Sequence, residues 1–360
     1  MVVKRWIGEL SLGHTAATFE GTSRLTYAAV ATEIKAPFLN TADANTDPID
    51  PVIGQALTAL RRGELVAMPT ETVYGLAADA HNPAAVAAVY ALKGRPLGHP
   101  LIIHLGEVSW LARYADPLPP IARALAKRYW PGPLTLVVPA AASVDRQITG
   151  GADTVALRMP NHPLALALLR GLGHGLVAPS ANRYGSISPT SAADVRAEFG
   201  EQAPLIIDGG RCQSGIESTI VDCTVDPPRL LRPGTLQLAE LSELLPDHLG
   251  PRAPGRVDRH YAPRTPAYRV PAERWAQVLR SPPAANVQAL SWAPLPEGVA
   301  GICLGDEPIA YARELYRSLR QLDRAGADCI LVQAVPADAA WMAVADRLSR
   351  ATLPLPADAA

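Results

Sequence analysis

Residues 82–105 read NPAAVAAVYALKGRPLGHPLIIHL, and their pattern decides the fold. Asn82-Pro83 is a helix cap followed by proline at the first helical position. The apolar run from Ala84 to Leu92 then predicts a helix that closes near Gly94, and Leu101 to Leu105 predicts a short buried strand. Upstream, Asp50-Pro51 opens another helix with an Ile53, Leu57, Leu60 stripe, and Leu65 to Met68 reads as a strand stopped by Pro69. Downstream, helices over 121–129 and 164–170 interleave with strands at 134–138, 154–158, 176–178, 205–207 and 218–221. Strands alternating with helices imply an α/β layer structure. Beyond a Pro/Gly/Arg-rich stretch at 249–266, strands at 301–304 and 330–332 flank a helix over 310–322. The expected organisation is an N-terminal extension (1–38, without a sustained period), a first α/β domain (39–248), a linker (249–266) and a small Rossmann-like α/β domain (267–360).

Composition narrows the function classes. The chain has 360 residues, 48% hydrophobic and 19% charged, with a formal net charge of −1. That balance is globular and excludes a bulk-basic nucleic-acid binder, while leaving room for a local basic groove. No apolar run approaches the roughly 20 residues of a membrane span. Lys4 and Arg5 have no apolar core behind them, so no signal peptide is expected and the expected location is cytoplasmic. Cys212, Cys223, Cys303 and Cys329 form no CxxC or Cys/His pair, so neither structural zinc nor a disulfide framework is expected, and no side chain is assigned to a metal.

The chemistry-bearing residues sit at strand ends and in the loops after them, where open α/β sheets place ligands. Segment 68–76 (MPTETVYGL) turns through hydroxyls and a glycine, with Glu71 suited to a metal or an amine. It reads equally as an ordinary strand-to-helix turn. Lys93-Gly94-Arg95, followed by prolines 96 and 100, predicts a stiff positive loop suited to polyphosphate, or a solvated helix end. In a chain with only four lysines, Lys93 stands out. His104 reads as a satisfied core histidine or a ligand contact. Arg158 ends an apolar strand and needs an anion or solvent. Segment 178–182 (APSAN) offers small hydroxyl and amide groups, and Arg232 ends a further strand. Lys93, Arg95, Arg158 and Arg232 are expected to converge on one sheet edge among hydroxyls and almost no acids.

Nine ordered motifs carry a resemblance. PTETVYGL (69–76), KGRPLGHPLIIH (93–104), PGPLTLVV (131–138), DTVALRMPNHP (153–163), APSAN (178–182), SPT (188–190), IDGG (207–210), GIESTIVD (215–222) and LLRPG (230–234) resemble the YrdC-like family. With the linker and tail domain, the chain is similar to the long form of the threonylcarbamoyl-AMP synthases. The resemblance runs from about Asp47 to about Ala351. It implies a YrdC-like twisted open sheet with helices, and synthesis of threonylcarbamoyl-AMP and pyrophosphate from L-threonine, bicarbonate and ATP. A downstream transferase complex would then modify tRNA beside the anticodon.

The resemblance also implies residue roles. Thr72, His104, Arg158, Ala178 and Ser218 would bind L-threonine, with Arg158 on its carboxylate. Arg95, His99, Thr154, Ser180, Ser188 and Arg232 would bind ATP, with Lys93 and Asn182 beside the phosphates and Mg²⁺. Lys93 and Arg95 would act electrostatically, without a covalent nucleophile. Tyr261, in the RHYAP stretch of the linker, would reach back over the nucleotide as a lid. Residues 254–258 depart from the family pattern, which leaves the segment before Arg259 without assigned roles. The alternatives are a non-catalytic YrdC-like RNA-binding or ribosome-maturation factor, for which weak RNA binding would suffice, and a hydrogenase-maturation carbamoyltransferase. The latter lacks support, because its acylphosphatase unit and paired-cysteine motifs have no counterpart here.

Overall fold

The computed structural model describes residues 51–236 and 260–356. The expected N-terminal extension, the Asp50 cap and residues 249–259 of the expected linker lie outside the described residues. The helix Pro83–Lys93 shows how local sequence sets structure. The Asn82 side chain accepts from the amides of Ala84 and Ala85, and Gly94 closes the helix with φ 62°. That left-handed conformation is cheap only for glycine. Val86, Val89 and Tyr90 are buried on one face, and Lys93 continues the same stripe. Helical periodicity therefore aims the lysine inward.

Among the described residues, the first half is built on nine strands: β1 (Val66–Met68), β2 (Gly75–Asp79), β3 (Ile102–His104), β4 (Leu134–Pro139), β5 (Thr154–Arg158), β6 (Leu176–Val177), β7 (Leu205–Ile206), β8 (Thr219–Asp222) and β9 (Arg229–Arg232). They form one mixed sheet in the order β7-β1-β2-β6-β3-β5-β4-β8-β9. Its core packs Leu76, Ile103, Leu136 and Leu157 beneath the helices. The strand β2 had no sequence signature. Its GLAAD lacks β-branched residues, and its state is set by antiparallel pairing to β1 and β6.

The second half carries β10 (Ala267–Val270), β11 (Val287–Ser291), β12 (Gly301–Cys303), β13 (Cys329–Gln333) and β14 (Leu353–Pro354). These pair in parallel in the order β12-β11-β13-β10-β14. Helices Ala272–Arg280 and Met342–Ala351 were not expected, nor were β10, β11 and β14. Both helices are amphipathic but short; the first buries Trp275 and Val278, and the second buries Ala343, Val344, Arg347, Leu348 and Ala351. The two halves share an apolar cluster. Val73, Ile187 and Ile216 of the first meet Leu315, Tyr316 and Leu319 of the helix Pro308–Asp323.

Candidate active site

Five neighbouring strands bring their polar residues to one end of the large sheet. His104 and Arg158 are in-register partners on β3 and β5, and Thr135 of β4 is the partner of Arg158 on the other side. The Thr135 hydroxyl lies 2.7 Å from that of Ser218, which immediately precedes β8. Ala178 follows β6 directly, beside β3. Register thus lays His104, Arg158 and Thr135 in a row across β3-β5-β4. Ala178 after β6 and Ser218 before β8 flank it, offset from Leu176 and Ile220, the residues paired with His104 and Thr135.

His104, Arg158, Ala178 and Ser218 line a pocket together with Thr70, Arg95, Ser180, Glu217, Arg232, His260 and Tyr261. Arg158 is 4% exposed. Its Nη2 lies 2.8 Å from Glu71 Oε1. Neither Nε nor Nη2 makes an aligned hydrogen bond, and His104 Nδ1 has no hydrogen-bond partner. Buried polar atoms left in this way are suited to a polar ligand. Burial, with the Arg158 cation beside it, pushes the His104 imidazole down to about 3, so it stays neutral near pH 7.

The other cations are held by carbonyls. Arg232 Nε donates to the Ser218 carbonyl at 3.0 Å and its Nη2 to the Ser218 hydroxyl at 3.1 Å. Arg95 Nη2 donates to the Pro100 carbonyl at 2.9 Å, and its guanidinium lies over the Tyr184 ring. Burial lowers the pKa of both arginines.

Lys93 does not sit on an open loop. It is 3% exposed, and its Nζ donates to the carbonyls of Ser180 and Asn182, each at 2.6 Å. It braces the 178–182 turn from behind the pocket wall, and burial pushes its pKa well down. Asn182 Nδ2 donates to the Arg183 and Ser186 carbonyls, which leaves its buried Oδ1 without a hydrogen-bond partner.

The remaining expected residues, Thr72, His99, Thr154 and Ser188, lie outside the pocket lining. Thr72 is buried beside Thr70, hydroxyl to hydroxyl at 2.9 Å. The His99 ring faces the Tyr184 hydroxyl at 3.2 Å. Thr154 starts β5, about 13 Å of strand away from Arg158. The Ser188 hydroxyl donates to Glu217 Oε1 at 2.6 Å.

The expectation of almost no acids is corrected. Glu71 and Glu217 are both buried at the site, each matched to an arginine. Burial would raise the Glu217 pKa, but Arg347 and Arg232 outweigh it and hold the carboxyl at about 2. The sequence alone assigns no role to Glu217, Thr70 or His260, and Arg347, which explains Glu217, lies 130 positions away along the chain.

Tyr261 closes the pocket from the connector. It is 1% exposed and has φ 63°, the sole non-glycine positive φ among the described residues. Such a conformation persists only where surrounding contacts over-determine it. Here the Tyr316 ring stacks at 5.6 Å and the Arg347 guanidinium lies over the ring. Away from the pocket, Asp79, His81 and His174 place potential ligand atoms within 4.8 Å of one another. The two histidine rings stack there, and His174 Nδ1 lies 3.3 Å from Asp79 Oδ1.

A curated threonylcarbamoyl-AMP synthase from Pyrococcus abyssi is 41% identical over 313 residues, covering 81% of this chain and 92% of the relative. The chain belongs to the threonylcarbamoyl-AMP synthase family. The family described as "Telomere recombination" matches residues 58–234, and "Threonylcarbamoyl-AMP synthase, C-terminal domain" matches 234–352. A threonylcarbamoyl-AMP synthase from Bacillus subtilis is 37% identical, over 84% of this chain and 93% of its own. A solved structure described as P. abyssi Sua5 complexed with L-threonine has TM-score 0.76 and 40% identity, covering 83% of this chain and 94% of that one. The chain is accordingly an enzyme of this family. No helix among its described residues is long and apolar enough to cross a membrane.

Proposed function

We propose that the enzyme is a nucleotidyltransferase that joins L-threonine, carbon dioxide from bicarbonate, and the adenylyl group of ATP, releasing pyrophosphate. The product, threonylcarbamoyl-AMP, would serve a cytoplasmic transferase complex that modifies tRNA. The observation that carries this reading is the buried Arg158 guanidinium, aimed with the neutral His104 into a pocket whose rim holds Arg95 and Arg232.

Arg158 takes the threonine carboxylate, and its neighbours fix the amino acid against the sheet end. The amine nitrogen attacks the carbon of CO₂ and loses a proton, giving a carbamate. A carbamate oxygen then attacks the α-phosphorus of ATP, and the bond from phosphorus to the pyrophosphate oxygen breaks. Such transfer depends on positioning and on charge stabilisation, which Arg95 and Arg232 provide without a covalent nucleophile. Ser180 and Ser188 offer hydroxyls to the nucleotide, and the Lys93 brace keeps the Ser180 turn in place. His260 and Tyr261 cover the pocket and limit hydrolysis of the mixed anhydride. The unpartnered Asn182 Oδ1 is an oxygen donor of the kind Mg²⁺ accepts, and with it bound the ion would neutralise charge on the ATP phosphates.

Pyrophosphate release tests this reading. It should require threonine, bicarbonate and ATP together, and Arg158→Ala should raise the threonine KM more than the ATP KM. ATP hydrolysis indifferent to threonine would contradict it.

A further inference from the structure

We propose that the cleft between helices Ala192–Phe199 and Pro308–Asp323 binds a small phosphate-bearing anion, from pyrophosphate to mononucleotide in size, at a site separate from the pocket above. The cavity is about 380 Å³ and is lined by four arginines, Arg211, Arg317, Arg320 and Arg324. It shares no lining residue with the sheet-end pocket. Its volume lies at the small end of ligand sites.

The cations are placed by the fold from both halves. Arg317 and Arg320 share one face of the long helix, Arg324 caps its C-terminal end at the same spacing, and Arg211 approaches from the first half. Arg320 forms the floor at 9% exposure, and Arg317, Arg324 and Arg211 are exposed at the mouth. The floor arginine donates to the Ile187 carbonyl and lies 3.9 Å from Asp194 and 3.7 Å from Glu198. Its buried Nε makes no hydrogen bond.

The acids nearby offset the cations of the cleft only in part: Asp194 and Glu198 stand beside Arg320, and Glu314 beside Arg211 and Arg317. Asp194 is the sole carboxylate in the lining, and it accepts from the Thr190 amide and hydroxyl at 3.1 and 3.3 Å. Glu314, outside the lining, divides itself between Arg211 at 2.9 Å and Arg317 at 3.3 Å. Arg324 makes no ion pair among the described residues. Four guanidiniums against three carboxylates leave an excess of cation, and they form a set of planar donors matched to phosphate oxygens. Thr190, Ser191 and Gln321 add neutral polar groups to the same wall.

Because each half supplies cations, an occupant binds only the docked arrangement and stabilises it by linkage. The floor arginine also touches Ile187, the residue before Ser188, whose hydroxyl reaches Glu217 in the other pocket. Occupancy of the cleft is thereby connected to the loop at the active site.

Calorimetric titration of the full chain with inorganic pyrophosphate, and separately with AMP, tests the proposal. Wild type should show a binding phase that the exposed double variant Arg317→Ala/Arg324→Ala loses or weakens at least about tenfold. Binding at the sheet-end pocket is common to both proteins and cancels in the comparison. The milder Arg317→Gln/Arg324→Gln pair should behave in the same way. Loss of the phase for pyrophosphate alone identifies an inorganic phosphate as the occupant. Loss for AMP as well identifies a mononucleotide. Identical isotherms in wild type and both double variants overturn the proposal, as does a wild type that binds single-stranded RNA through these arginines but neither small anion.

Discussion

Arg347 Nε lies 2.7 Å from Glu217 Oε2, and this ion pair joins the helix Met342–Ala351 of the second half to the pocket wall of the first. The Tyr316 hydroxyl donates to the same carboxylate oxygen at 2.9 Å, and Arg347 Nη2 also donates to the Glu217 carbonyl at 3.2 Å. The other carboxylate oxygen holds Ser188. The C-terminal half therefore reaches the candidate nucleotide site through one buried carboxylate.

Removing one partner should cost more than removing both. Arg347→Met leaves Glu217 buried without its cation, a loss of about 3–5 kcal/mol in urea unfolding. Glu217→Gln in that background should recover part of the loss, so that the double-mutant cycle shows strong coupling. Additive effects would contradict the account of the pair.

Acid should weaken the fold in two stages. His104 and His260 are pushed down to about 3 from an ordinary 6.5, chiefly by burial. The unfolded chain takes up these protons below pH 6.5 while the folded chain resists, so their stabilisation is full above 6.5 and is lost towards pH 3. Each contributes a slope of up to about 1.4 kcal/mol per pH unit. Glu217, at about 2 against an ordinary 4.5, adds a loss that begins near pH 4.5 and continues through pH 2. His104→Gln should remove one proton's worth of slope between pH 6.5 and 4.5. A flat stability profile across that interval in wild type would be inconsistent with neutral buried histidines.

Gly215 should resist substitution at the contact between halves. It has φ 75°, and an added Cβ would stand 2.4 Å from Arg313 Cα and from the Arg313 carbonyl oxygen. Gly94 has a similar φ of 62° but nothing within 4 Å of such a Cβ. Gly94→Ala should therefore cost about 1 kcal/mol of backbone strain, whereas Gly215→Ala should cost more and loosen the second half. Differential hydrogen exchange over 308–323 would read that loosening, and equal effects of the two alanines would count against it.

Lys93→Arg should fail despite an arginine-rich composition. Two carbonyl contacts at 2.6 Å around a buried ammonium leave no room for a planar guanidinium. Pyrophosphate release should fall at least about tenfold in Lys93→Arg, as in Lys93→Ala, for a positional error at the Ser180 turn. Wild-type turnover in Lys93→Arg would show that the brace is dispensable.

Much of this architecture was legible along the chain. The Asn82-Pro83 cap, the Gly94 stop and the apolar strand at 102–104 are local signals, and the structure realises them with shifts of a residue or so. The arginine at the end of β5 could be read because an apolar strand ending in a cation demands a partner. Long-range pairing was not legible. Nothing local marks β2 as a strand, ties Glu217 to Arg347, or turns Lys93 from a loop cation into a brace. Those features arise from sheet order and from the contact between halves. The polar row across β3-β5-β4 is of the same kind, since register places His104 opposite Arg158 only once β3 and β5 have paired.

The most direct measurement is mass spectrometry of the product formed from L-threonine, ¹³C-bicarbonate and ATP. The account predicts an adduct of threonine and AMP that carries one labelled carbon, is absent when any substrate is omitted, and is lost in Arg158→Ala. Detection of only unlabelled AMP or ADP, or of no nucleotide product at all, would contradict it.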